Sequence, residues 1–428
     1  MKKFINKSLV LALITVMGLA TVNCVEEKED NNLLLAALLF SNQGIAGSDL
    51  CDGVGVPTPT QVLEGTISTA VIVSGSAFLR GTVNVTNGGS ITVLPKSVIY
   101  GERGSSLFVY EGGTLTAEGT AAQPICFTSA SSVGSRAPGD WGGIVVIGNS
   151  TLKAFGAAGV NTKNSEGTTP RPYPGGVNSV AKLKYVVIEF AGNEVAPGNE
   201  LNGVSSYTVT QESNYNYVQI HRPLDDGFEW WGGDVNGSHL LVTGGQDDDF
   251  DVDEGFQGSL THIIGAKYPT SCGGTISSDP RGFELDGNAA AGNVGTPSNP
   301  TISNFTSIGQ SIVGSIGVMV RDRHNGIFSK GLVYGYPAQN FTCLASSIPT
   351  SWTDIKGQVG ITADLTCGAV MTNNTELTSV PVVSLGSIPE CGNGAKPDFT
   401  TSFGDGSLGG GSVAEGKWWD GWTVYRSK

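Results

Sequence analysis

From Gln61 the chain alternates apolar and polar residues in short bursts: V-I-V, G-T-V-N-V-T, S-I-T-V-L, S-V-I-Y-G, S-L-F-V-Y and G-T-L-T-A. Gly, Asn or Pro punctuates them. Alternation at period 2 with frequent turns predicts short strands that each bury one face. Between Leu201 and Tyr336 a longer repeat is superimposed. Gly203-Val204, Gly227-Phe228, Asp249-Phe250, Gly282-Phe283 and Gly317-Val318 each open a similar unit, at steps of 24, 22, 33 and 35 residues. Each unit after the first runs on to an apolar segment: H-L-L-V-T-G, T-H-I-I-G-A, F-T-S-I-G or G-L-V-Y-G-Y-P. Repeats of this length predict stacked solenoid coils rather than one globular core.

Aligned on their openers, the units form columns. Phe228, Phe250, Phe283 and Val318 make one, and Trp230, Val252, Leu285 and Val320 make another two residues on. Both are apolar, as inward positions of a strand should be. The alternate positions are expected to face outward: Glu229, Asp251, Glu284 and Met319, then Trp231, Asp253, Asp286 and Arg321. Coils of a parallel β-helix sit about 4.8 Å apart. Glu229, Asp251 and Glu284 should therefore form a carboxylate ladder, with Asp253 and Asp286 beside it. Ten acidic residues fall between Asp225 and Glu254, with no Lys or Arg among them. Like charges about 5 Å apart cost about 1 kcal/mol per pair in water and several times more where water is excluded. Protons, arginines (Arg222, Arg281, Arg321 and Arg323 are candidates) or a bound cation must offset that. Ca²⁺, which takes six to eight oxygens, is the candidate cofactor for the ladder Glu229, Asp251, Asp253, Glu284 and Asp286.

The Asp249–Gly255 run is no EF-hand loop, because Glu254 stands at the required Gly position and Leu260 at the required Glu. Asp225, Asp226, Asp247 and Asp248 precede their strands and read as turn caps. The four histidines form no HExxH, and His239 and His262, at equivalent places in adjacent coils, read as polar strand positions.

Composition narrows the class. The 428 residues include 62 Gly and are only 14% charged, which suits many short strands and tight turns. The net charge of −14 argues against a nucleic-acid partner. At the N-terminus, Lys2, Lys3 and Lys7 precede an apolar stretch from Leu9 to Ala20, too short to span a bilayer. Ala20-Thr21-Val22-Asn23-Cys24 then resembles a bacterial lipobox in which Cys24 is lipidated. Residues 1–23 are expected to be a lipoprotein signal peptide and 24–60 a lipidated tether. Its eight-residue apolar run from Leu33 to Phe40 reaches only about 12 Å as a helix. Residues 61–336 should form the β-helix, and 337–428 its last coils and a disulfide-containing C-terminal cap that includes Trp418, Trp419 and Trp422. Losing the leader removes three lysines and leaves a net charge of −17 rather than −14. Six further cysteines remain for up to three disulfides: Cys51, Cys126, Cys272, Cys343, Cys367 and Cys391. Cys343 and Cys367, 24 residues apart, could close a loop, and Cys126, within P-I-C-F, can equally be a free buried thiol.

Six motifs appear in the order found in a known family: G-G-S-I-T-V-L-P-K-S-V-I-Y-G, E-G-G-T-L-T-A-E-G-T-A-A-Q-P-I-C-F-T-S, R-A-P-G-D-W-G-G-I-V-V-I-G, K-Y-V-V-I-E-F-A-G, D-D-G-F-E-W-W-G-G and D-D-D-F-D-V-D-E-G. They resemble large secreted bacterial right-handed parallel β-helix proteins, which are pectin-lyase-like in fold. The resemblance runs from about Leu63 to the terminal W-W-D-G-W-T. It implies an all-β, right-handed parallel β-helix and an outer-membrane or cell-surface lipoprotein. The six extra cysteines depart from the family pattern.

Two functions follow as expectations. The first is a lipid-anchored surface protein, held in the membrane at Cys24, with a structural or binding role such as adhesion to an extracellular matrix protein or polysaccharide. The second is a Ca²⁺-dependent lyase or a glycoside hydrolase acting on acidic polysaccharide, with Arg281 or Arg321 as the lyase base and Trp231 stacking on sugar. A hydrolase would need two carboxyls roughly 5–9 Å apart, which the ladder can supply. No catalytic residue is assigned.

Overall fold

The computed structural model describes residues 50–55, 57–151, 176–269, 272–287, 296–344, 351–358, 370–377, 397–401 and 408–426. The expected signal peptide, Cys24, most of the tether, Cys367 and Cys391 lie outside these residues. Parallel pairing of each strand with the one a coil later builds a right-handed parallel β-helix with three stacked sheets. One coil shows the scheme. The strand Asn214–His221 contributes Val218–His221 to the first sheet, Phe228–Gly233 lies in the second, and the start of Asn236–Thr243 lies in the third.

The register agrees with the columns read from the repeat. Phe228 pairs with Phe250, Phe250 with Phe283 and Phe283 with Val318, while Trp230, Val252, Leu285 and Val320 run alongside. The rings stack on one another, Phe228 to Phe250 at 5.9 Å and Phe250 to Phe283 at 5.0 Å between centroids. Identical side chains stacked in register bury apolar area against their own kind in every coil.

Between the third and first sheets the chain turns without a loop. One residue per coil takes a left-handed conformation at that corner: Tyr185, Tyr217, His239, His262, Asn304, Lys330, Asp354 and Asn373, all with φ between 49° and 57°. Asn, Asp and His tolerate this region better than most residues, which accounts for five of the eight. The corner side chains stack outside the solenoid. Tyr185 lies 4.4 Å from Tyr217, Tyr217 lies 4.2 Å from His239, and His239 lies 5.0 Å from His262.

Both ends of the chain depart from expectation. Leu50 and Cys51, placed in the tether by sequence, are fully buried. Cys51 is disulfide-bonded to Cys126 across 75 residues, so Cys126 is not a free thiol. Cys272 and Cys343 are also disulfide-bonded. The C-terminal segment, expected to cover the last coil, instead runs back along the flank toward the N-terminal coils. The amide of Gly409 donates to Lys330 O, that of Gly410 to Thr306 Oγ1, and that of Val424 to Gln219 Oε1 at 2.7 Å. Arg426 reaches Glu189 and Asp52. Burial raises the Glu189 carboxyl to about 7 against the pull of Arg136.

The physical reason is apolar surface. In H-L-L-V and H-I-I-G-A two neighbouring residues are apolar, so both faces of the first sheet are hydrophobic. Leu241, Ile264, Ile308 and Leu332 face outward and are buried by Phe399, Trp419 and Tyr425. Trp422 and Val424 similarly cover Val98, Cys126 and Val187. The three tryptophans therefore serve packing, as expected, but along the flank.

Phe250→Ala should destabilise the fold by about 3–5 kcal/mol, since its neighbours above and below cannot close the gap. The midpoint of urea unfolding measures this, and an unchanged midpoint would show that the column is not what holds these coils.

Candidate functional site

The acidic positions stack as the repeat requires. On the second sheet Ser205 pairs with Glu229, Glu229 with Asp251, Asp251 with Glu284 and Glu284 with Met319. What differs is exposure. Glu229 is 4% exposed and Glu284 9%; Asp253 and Asp286 are also buried. The long insertions that separate these strands fold back over the ladder. Gln246 Nε2 donates to Gly273 O at 2.6 Å, and the Ser277 amide donates to Gln246 O at 2.8 Å. The outward face is thus largely withdrawn from solvent. Trp231, expected to be free to stack on sugar, is covered as well and packs 4.1 Å from Tyr207.

The ladder divides into two parts with different solutions to the charge. In the C-terminal part arginines neutralise it. Arg281 contacts Glu284 at 3.0 Å, Asp248 at 3.4 Å and Asp279 at 2.7 Å. Arg321 contacts Glu284 and lies 2.5 Å from Asp286. Burial works against both cations, yet the carboxylates outweigh it and raise the pKa of each. Asp253 Oδ1 accepts the Glu254 amide at 2.7 Å. Burial still pushes Glu284 upward, with Asp248 and Asp251 adding to it, and raises Asp286 to about 6 in spite of Arg321.

In the N-terminal part carboxylates converge on one another. Oxygens of Asp226, Glu229 and Asp251 lie within 4.8 Å of one another, and so do those of Asp225, Asp226 and Asp247. Asn202 orients this group. Its Nδ2 donates to Glu229 Oε2 at 2.5 Å, and its Oδ1 accepts the Asp226 amide at 3.1 Å. Asp226 Oδ1 in turn accepts the Asp248 amide at 2.8 Å. Asp251 Oδ1 is buried, and no donor among the described residues reaches it. Burial, then neighbouring carboxylates, push Asp226 and Asp251 well above the usual range and raise Asp247 to about 7.

Of the five sequence candidates, then, Glu229 and Asp251 come together, whereas Asp253, Glu284 and Asp286 are engaged by a backbone amide or by arginines. Asp225, Asp226 and Asp247, read as turn caps, complete the cluster. The signal was present: the D-D before Phe228 recurs in the same register before Phe250, so these two turns stack just as the strands do. Above the cluster opens a cleft of about 450 Å³ lined by Glu194, Glu200, Asp225, Asp247, Thr275 and Ser277. It carries four carboxylates and no Lys, Arg or His among its described lining residues. Convergent, hydrogen-bond-oriented carboxylates with one bare buried oxygen suit a hard divalent cation such as Ca²⁺.

A family model described as a pectate-lyase like beta helix domain matches residues 65–423. The chain belongs to the pectate-lyase-like β-helix family. Among solved structures, the crystal structure of pectate lyase Pel9A is similar over 67% of this chain and 69% of that one, with 12% sequence identity and a TM-score of 0.31. No curated protein matches the chain. In this family member the β-helix places the acidic cluster on its second sheet, and insertions between strands form the cleft.

A carboxyl whose pKa is raised by folding stabilises the fold while protonated, and that contribution is lost as pH rises through its folded pKa. Asp251→Asn, which mimics the protonated form, should therefore raise the melting temperature in chelator at pH 7.5, with the gain vanishing near pH 4. A loss of stability at pH 7.5 would show instead that the ionised carboxylate is already satisfied without metal.

Proposed function

We propose that this protein is an exported, lipid-anchored binding β-helix of the outer membrane or cell surface, and that its acidic cleft holds Ca²⁺. The observation that carries this reading is the division of the ladder. Arginines contact Glu284 and Asp286 directly, while oxygens of Asp226, Glu229 and Asp251 converge within 4.8 Å of one another. A bound Ca²⁺ would replace the protons that burial otherwise forces on these carboxyls. It would also make a strongly negative cleft attractive to an anionic partner, either an acidic polysaccharide or an extracellular matrix protein. The membrane is reached through Cys24.

The lyase reading draws less support from the same geometry. A lyase needs a base beside the substrate, and Arg281 and Arg321 are tied to carboxylates that strengthen their hold on their protons. The hydrolase reading finds carboxylates at short range, but the cleft offers an acidic polysaccharide only like charges until a cation is bound.

Calorimetry on chelator-stripped protein should show micromolar Ca²⁺ binding that is lost in Asp251→Asn and Asp226→Asn and retained in Asp286→Asn. Absence of binding at millimolar Ca²⁺ would make the cluster an acidic packing device. With Ca²⁺ present, saturable and salt-sensitive retention on immobilised acidic polysaccharide or matrix protein is expected, without chain cleavage. Unsaturated sugar ends that appear with Ca²⁺ and disappear with Asp251→Asn would replace this reading with the lyase. Cys24→Ala should abolish lipid labelling and release the protein from membranes, and an unchanged membrane fraction would contradict the anchor.

A further inference from the structure

The third sheet carries a long outer face that neither the acidic cleft nor the C-terminal segment uses. In six successive coils its strands contribute the triplets 214–216, 236–238, 259–261, 301–303, 327–329 and 351–353, paired in parallel and in register. The middle residue of each triplet is buried, and the first and third face outward. The outward residues therefore form two parallel columns. Every one of them is Ser, Thr or Asn except Ile327. Neither column holds Asp, Glu, Lys or Arg, on a chain whose net charge is −14. The uncharged array ends at Lys182 and Lys184, which pair with Asn214 and Asn216.

The array is periodic in two directions and held in place. Successive coils lie about 4.8 Å apart, and outward residues two apart along a strand lie about 6.7 Å apart. Six coils extend this pattern over about 24 Å. Below it the buried middle residues pack as core, and the Phe328 and Trp352 rings stack with centroids 4.1 Å apart. Polar groups tie neighbouring coils together lengthwise. Ser238 Oγ donates to Asn216 Oδ1 at 2.6 Å, Ser303 Oγ to Thr261 Oγ1 at 3.0 Å, and the Ser259 amide to Asn236 Oδ1 at 2.9 Å. The side chains are thus positioned before anything binds.

We propose that this face binds ice. The absence of charge on an acidic molecule calls for an uncharged partner. Each hydrogen bond made here replaces one to liquid water, so a single contact gains little and only many matched contacts together hold a partner. A fixed lattice of small hydroxyl and amide groups matches a surface that is itself periodic in two directions. The coil spacing and the two-residue repeat along the strand lie near the two oxygen repeats on a prism face of ice. Waters held by the array therefore stand close to lattice positions, whereas charged side chains would keep a liquid-like shell. A flexible polymer loses conformational freedom on such a face, while a crystal is already ordered. Neither column offers a sugar an aromatic ring to stack on. The inference is independent of the acidic cleft, which lies on the second sheet.

The test grows ice slowly from a dilute solution of fluorescently labelled full-length protein and measures the fraction incorporated, together with the gap between freezing and melting points. The parent should enter the ice and open a gap. Thr301→Lys and Ser259→Lys each place a charge on an exposed position in the middle of the array and should lose both effects. Val313→Lys adds the same charge at an 88% exposed site in the turn between the first and second sheets, and should keep both. Melting temperatures equal to the parent's show that the variants fold, and either array variant suffices if the other does not. Exclusion of the parent from growing ice would overturn the proposal, and so would equal incorporation of the parent and a folded array variant. Retention on a neutral polysaccharide without entry into ice would assign the face to a sugar polymer instead.

Discussion

Everything in this molecule depends on stacking in register. Each coil lies about 4.8 Å from the next, and parallel pairing fixes which residue lies over which. A column of phenylalanines gains from that constraint. A column of carboxylates loses, because the spacing that packs rings also brings like charges together and the covering insertions take their water away. The second sheet carries both kinds of column side by side, at Phe228–Phe250–Phe283 and at Glu229–Asp251–Glu284. The apolar column holds the acidic one in place.

The same constraint explains the path of the C-terminal segment. Wherever a coil has apolar residues on both faces, the outer face repeats along the solenoid as a hydrophobic stripe. The stripe formed by Leu241, Ile264, Ile308 and Leu332 needs a cover as long as itself, and a tail laid lengthwise provides it. At the far end Arg426 joins Glu189, Asp52 and Arg136 beside the Cys51–Cys126 disulfide, so both ends of the described chain are secured at one place. In the chain-entropy account a cross-link closing 75 residues contributes about 4 kcal/mol. The tail and the disulfide both oppose fraying, the weakness of stacked repeats.

Local pattern made the strands, the coil stacking and the pairing of Phe228, Phe250 and Phe283 legible in the sequence, because period-2 alternation and a recurring opener encode register directly. Glu229 and Asp251 were legible for the same reason. Their burial was not, since insertions carry no periodic signal of where they fold. Asp225, Asp226 and Asp247 read as turn caps, because period-2 alternation does not extend into the turns, although turns of adjacent coils stack as their strands do. The tail shows the opposite case: paired apolar residues in H-L-L-V and H-I-I-G-A announced a covered outer face, but nothing local identified residues well over a hundred positions away as the cover.

In the proposed Ca²⁺ site, burial favours protons on the carboxylate cluster and a divalent cation is their natural replacement. Proton release on metal binding tests this most directly. Chelator-stripped protein held at pH 6 in weakly buffered solution with an indicator would be titrated with Ca²⁺. Release of about one or more protons per ion bound is expected, absent in Asp251→Asn. Ca²⁺ binding with no proton released would mean that the cluster is already ionised, and that burial does not govern its chemistry.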